Sequence, residues 1–146
     1  MMAIENEQEF QKWKATTEAS REVVQKAIDA LNRGDAEGFI NSFSNDLDFW
    51  MPGTTPVSGR TKGLPEFTAL VEKVAGYLDV MITIKVTNFI ACGEWVVSEA
   101  VGHGVTKNGQ DYDNTYCHLW QVRDGKIVKF VEYNDTDLIM RVLCAQ

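Results

Sequence analysis

The sequence predicts an α+β domain, with helices packed on the concave face of a strongly curved, mostly antiparallel sheet. Two observations carry this. The hydrophobic period is helical in the first half and becomes two after Asp79, where Val80, Ile82, Ile84 and Val86 alternate with Met81, Thr83, Lys85 and Thr87. The stretch from Tyr112 to Tyr133 reads as two long strands joined by Asp124-Gly125. That pair tolerates positive φ at both central positions of a tight hairpin turn. A bent sheet with helices on its inner side forms a cone, and the open end of a cone is a natural cavity.

The elements follow in order. Residues 1–15 read as a polar leader whose two anchors, Phe10 and Trp13, either dock on the body or belong to a short helix, and residues 16–146 as a single domain. From Thr16 the apolar residues Val23, Ala27 and Leu31 recur at helical steps. Gly34 stops that helix and Asp35 caps a second, short one carrying Phe39, Ile40 and Phe43, which Ser44-Asn45-Asp46 ends. Leu47–Met51 is a short strand, and Pro52 to Gly63 is rich in turn formers and reads as a loop. A third helix has Pro65 in its first turn and a stripe of Phe67, Val71, Val74 and Leu78. Four strands follow as a meander, turning at Ala91–Glu94, Lys107–Gln110 and Asp124-Gly125. Gly102 and Gly104 suggest a bend or bulge. Asp135 or Thr136 caps a last helix with Leu138, Ile139, Val142 and Leu143.

Composition narrows the function. A chain of 146 residues that is 45% hydrophobic buries a real core. Its formal charge of −7 argues against nucleic acid or an anionic membrane as partner. Cys92, Cys117 and Cys144 are far apart and form no Cys-x-x-Cys, and there are two histidines, so no metal site is expected. Reduced thiols, a polar N-terminus and no membrane-length apolar run point to a cytoplasmic protein.

The richest strand face carries Asn114, Tyr116, His118 and Trp120. Rings supply apolar walls; the amide, phenol and imidazole supply hydrogen bonds, which is the mixture a small-molecule pocket needs. Each residue alone is equally at home in a packed sheet. His118 is the leading acid–base candidate, because an imidazole offers either protonation state near neutral pH. Glu99 shares a face with Trp95, Val97 and Val101, and that company predicts an inward carboxylate. Glu132, in phase with Val128 and Phe130, predicts a second, able to share a proton or hold a water. Tyr116 and Asn114 would orient a carbonyl or hydroxyl. Trp50, Met51, Trp120 and Phe130 would form pocket wall or mouth. His103, between two glycines near a hairpin end, is expected in solvent.

Several stretches together resemble the NTF2-like superfamily, and within it the SnoaL-like and ketosteroid-isomerase-like proteins. They are Ala30–Phe39, Asp48–Gly53 with Ser58-Gly59 and Gly63, Tyr112–Tyr116, and Arg123–Ile127 with Glu132–Thr136. The resemblance spans about residues 16–143. It implies a cone with one deep pocket and a homodimer paired through the sheet. It does not transmit an activity. The isomerases place an aspartate where Met51 stands, after Trp50, and a second acid near Cys117 or His118, so their pair is missing. Epoxide hydrolases of the superfamily use an arginine and two aspartates. Glu99 falls at the arginine, Val101 at one aspartate, and Glu132 stands for the other. SnoaL-type cyclases use an acid and a histidine for proton transfer. The leading expectation is a cofactor-independent enzyme acting by proton transfer on a hydrophobic small molecule, as isomerase, cyclase, dehydratase or water-activating hydrolase. A non-catalytic binder of the same ligand class and a dimeric interaction domain are the alternatives.

Overall fold

A computed structural model describes residues 4–145. Residues 1–3 of the expected leader lie outside that range. Helix α1 spans Glu7–Asn32, capped by Asn6, whose side-chain oxygen accepts from the Glu9 amide. It starts well before Thr16, so Phe10 and Trp13 stand on its first turns, stacked at 6.0 Å and partly exposed. Gly34 adopts φ 75°, and Asp35 caps α2 (Ala36–Asn41). Strand β1 then runs Phe43–Met51. Ser44–Asp46, expected as the stop after α2, belongs to β1, and Phe43 opens the strand rather than closing the helix. The expected loop contains a short edge strand, β2 (Gly59–Lys62), paired antiparallel to β1.

Helix α3 (Leu64–Ala75) precedes the long strands β3 (Leu78–Cys92), β4 (Trp95–Thr106), β5 (Asp111–Arg123) and β6 (Lys126–Asn134). Leu78, assigned from the sequence to the α3 stripe, begins β3 instead. The hairpin between β5 and β6 turns at Asp124 (φ 49°) and Gly125 (φ 74°), the doubly positive geometry expected of this pair. After Asp135 the chain makes one short helix, α4 (Thr136–Leu138), and a π-helical turn over Ile139–Leu143.

The strands form one open six-stranded sheet in the order β2-β1-β6-β5-β4-β3, antiparallel except where β1 runs parallel to β6. The sheet curves around its helices. Its bends come from extra residues in β3, near Val80–Thr83 and Val86–Asn88. Gly104 lies opposite the first of these irregularities, between Val105 and His103, whereas the β4–β5 register is unbroken. Helix α1 is pinned inside the curve. The Asn32 amide both donates to the Ile84 carbonyl and accepts from the Ile84 amide, each at 2.8 Å. The core lies between α1, α3 and the concave face. Its closed end is filled by Phe39, Phe43, Phe49, Phe67 and Phe130. Among the described residues no helix is long and apolar enough to cross a membrane.

Candidate functional site

Strand β5 alternates without interruption. Tyr112, Asn114, Tyr116, His118 and Trp120 all point inward and are buried. The facing strand β4 makes room for them. Its inward residues Val96, Ser98, Ala100, Gly102 and Gly104 are small and pair with Trp120, His118, Tyr116, Asn114 and Tyr112 in that order. Gly102 is a true necessity: a Cβ there would lie 2.6 Å from a Tyr116 ring carbon. The rings therefore lie over β4 and stack on one another. Tyr116 and His118 are 5.2 Å apart, and Trp120 and Phe130 are 4.0 Å apart and nearly parallel.

A cavity of about 140 Å³ opens beside this ladder. Its walls come from α1, α3, β1, β3, β5, β6 and the C-terminal turn, and they are almost wholly apolar. The polar exception is a single cluster. His118 Nε2 lies 3.1 Å from Glu132 Oε1, and Asn134 Nδ2 donates to Glu132 Oε2 at 3.0 Å. On the other side of the imidazole, Ser98 Oγ lies 3.4 Å from Nδ1 and accepts the Trp120 indole N–H at 3.0 Å. One proton arrangement satisfies every member. The indole donates to Ser98, the Ser98 hydroxyl donates to Nδ1, and Nε2–H donates to the carboxylate. Tyr112 and Tyr116 complete the polar lining of the cavity, and the Tyr112 oxygen accepts from the Asn114 amide at 2.8 Å. Burial pushes the Tyr112 phenol up to about 12, with the charge of Glu132 adding to it, and burial pushes Tyr116 higher still. Both phenols therefore keep their protons at neutral pH and can act as donors.

The structure brings Met51, Tyr116, His118, Trp120, Phe130 and Glu132 to this cavity. Three other expected residues lie elsewhere. Glu99 is exposed on the outer face, where Asn88 Nδ2 reaches it at 3.4 Å. The inward phase of β4 is that of Ser98, so Trp95, Val97 and Val101 look outward with Glu99. Trp50 faces out from β1, under the Arg60 guanidinium at 4.5 Å and edge-on to Tyr133. Asn114 is inward but fully engaged. Its Nδ2 donates to the Tyr112 oxygen and the Asp135 carbonyl, and its Oδ1 accepts from the Thr115 and Asp135 amides. It clasps the C-terminal segment and is not part of the cavity lining. His103 is exposed and paired with Asp113 at 2.6 Å, which raises its pKa.

Ser98, Tyr112 and Asn134 escaped the sequence reading. The available signal was register: pairing Thr106 with Gln110 across the three-residue turn Lys107–Gly109, rather than across a four-residue turn, sets Ser98 opposite His118. Among the described residues no three His, Cys, Asp or Glu side chains gather as a metal site would require.

The model of the SnoaL-like domain matches residues 24–130, well over half of the chain. The chain belongs to the SnoaL-like family. Solved structures agree on the fold. An NTF2-like protein of unknown function from Burkholderia pseudomallei is 21% identical, with a TM-score of 0.78 over 86% of this chain and 97% of that one. An LEH-like epoxide hydrolase from Mycobacterium tuberculosis is 20% identical, with a TM-score of 0.71 over 88% and 92%. A putative polyketide cyclase from Xanthomonas campestris is 21% identical, with a TM-score of 0.68 over 84% and 94%. At such identities the likeness is one of fold. No curated protein sequence matches. Within this SnoaL-like frame, the cluster of His118, Glu132 and the two phenols is the chemistry that distinguishes the cavity.

Proposed function

We propose that this SnoaL-like protein is a cofactor-independent enzyme that moves a proton on a carbon next to the carbonyl of an apolar small molecule. The observation carrying this is a carboxylate, Glu132, held by His118 and Asn134 beside two protonated phenols in an otherwise apolar cavity. Each carboxylate oxygen keeps a lone pair beyond the bond it accepts. Glu132 takes the proton from the carbon, and the electron pair of that C–H bond moves toward the carbonyl oxygen. A phenol O–H stabilises the resulting enolate. Glu132 then returns the proton, to the same carbon or to a conjugated one. His118 orients the carboxylate through Nε2–H.

The test is deuterium exchange. Ketones of one to four rings are incubated with the protein in heavy water, and loss of α-hydrogens is followed by NMR. The wild type is expected to exchange at least one of them, and Glu132→Gln to do so about 10²–10⁴-fold more slowly. Absence of exchange in every ketone, with a ligand bound, would leave a non-catalytic binding protein. Equal rates in the variant would remove Glu132 as base.

We also infer a homodimer through the outer sheet face, because Trp95, Val101 and Tyr133 are exposed there. Light scattering is expected to give twice the 16.4 kDa chain mass. A monomer at micromolar concentration would rule this out.

A further inference from the structure

We propose that the cavity takes a compact, uncharged, one-ring molecule carrying a single carbonyl or hydroxyl group. This deepens the proton-transfer reading and rests on it for the role of Glu132. Three observations converge on this ligand class.

The first is size. A cavity of about 140 Å³ is close to the engineered apolar cavity of about 150 Å³ that accepts one benzene. Its depth is limited by the phenylalanine plug. Phe67 lies 4.7 Å from Phe43, 5.1 Å from Phe49 and 6.3 Å from Phe130, ring centre to ring centre. A second fused ring has to displace that plug.

The second is charge. Among the described residues no lysine or arginine lines the cavity, and the one carboxylate there is that of Glu132. An anionic ligand would face that carboxylate, whose side chain is 18% exposed and so only weakly screened by water. A cationic one would give up its hydration to apolar walls for a carboxylate already shared between the His118 and Asn134 donors.

The third is the layout of polar atoms. The Trp120 indole N–H is committed to Ser98. The remaining polar lining groups are Tyr112, Tyr116, His118 and Glu132, all in one cluster. A single oxygen substituent finds its partners there. A second one, directed away from that cluster, meets only apolar lining side chains and loses its hydrogen bonds to water without replacement.

The experiment is a binding series on the wild type by ligand-observed NMR and calorimetry. The probes are 2-cyclohexen-1-one and p-cresol, against 2-naphthol, p-toluate and hydroquinone. The one-ring, singly substituted neutral probes are expected to bind roughly tenfold or more tightly than the others. Phe67→Ala is expected to gain 2-naphthol. If that variant does not fold, the wild-type ranking alone decides. The proposal is overturned if 2-naphthol, toluate or hydroquinone binds as tightly as p-cresol, or if neither one-ring probe binds. The two readings fail separately. One-ring binding without exchange leaves the ligand class standing and removes proton transfer. Exchange in a four-ring ketone without one-ring binding does the reverse.

Discussion

Ser98 is fully buried between a buried indole and a buried imidazole, and it has one oxygen to serve both. Because it accepts from Trp120, its own hydrogen is left for His118 Nδ1, and that fixes which imidazole nitrogen faces Glu132 protonated. Removing the hydroxyl strands the Trp120 N–H away from water and frees the ring to change tautomer. Ser98→Ala is therefore expected to lose roughly 1–3 kcal/mol of stability in urea unfolding. The nitrogen-15 shifts of His118 are expected to move away from the pattern of the Nε2–H tautomer. Unchanged stability and unchanged shifts would show that the 3.4 Å contact does not hold the ring. Asn114 illustrates how residue type alone misleads. An amide matches a backbone peptide group donor for acceptor, and here it is consumed by the segment at Asp135 rather than offered to a ligand.

At the scale of elements, β5 was legible because its alternation is strict and its turn residues are unambiguous. Strand β4 was not, and the reason is physical. Its outer face carries Trp95, Val97 and Val101, whereas its inner face carries Ser98, Ala100, Gly102 and Gly104. Hydrophobicity therefore ranks the wrong face as buried, and Glu99 was assigned inward by that ranking. The inner residues are small because the rings of β5 occupy the space above them, a constraint that exists between strands and not within one. Strand β6 is a milder case. Its register against β5 slips between Gln121 and Val122, so Ile127 and Phe130 share the inner side and Val128 drops out of phase. Glu132 lies beyond the slip, where the alternation from Phe130 holds. That the leader is continuous with α1, rather than a separate short helix or a docked segment, was not legible because its turns are polar and expose Phe10 and Trp13, leaving no inward stripe.

At the scale of the whole molecule, the α+β class and the cone followed from the switch of period and from the resemblance. The size of the cavity did not, because it depends on phenylalanines from α2, α3, β1 and β6 meeting at one point. That assembly also couples the fold to pH. Tyr112 and Tyr116 are buried, and burial raises both phenols above the ordinary value of 10.0, Tyr112 to about 12. The folded state therefore holds protons that the unfolded chain releases as pH passes about 10. Their contribution to stability is fully present below that pH and is lost as pH rises toward and through the folded values. The raised Tyr112 value alone corresponds to roughly 3 kcal/mol, a large share of a small domain's total. The expected outcome is alkaline unfolding beginning above about pH 10, with phenolate absorbance from these two residues appearing together with the loss of near-ultraviolet circular dichroism. Tyr112→Phe removes a titrating group and is expected to flatten the dependence of stability on pH in this range. Ionisation of all four tyrosines while the dichroism stays native would mean that water reaches the ladder, and the dry, donor-lined cavity would then be wrong.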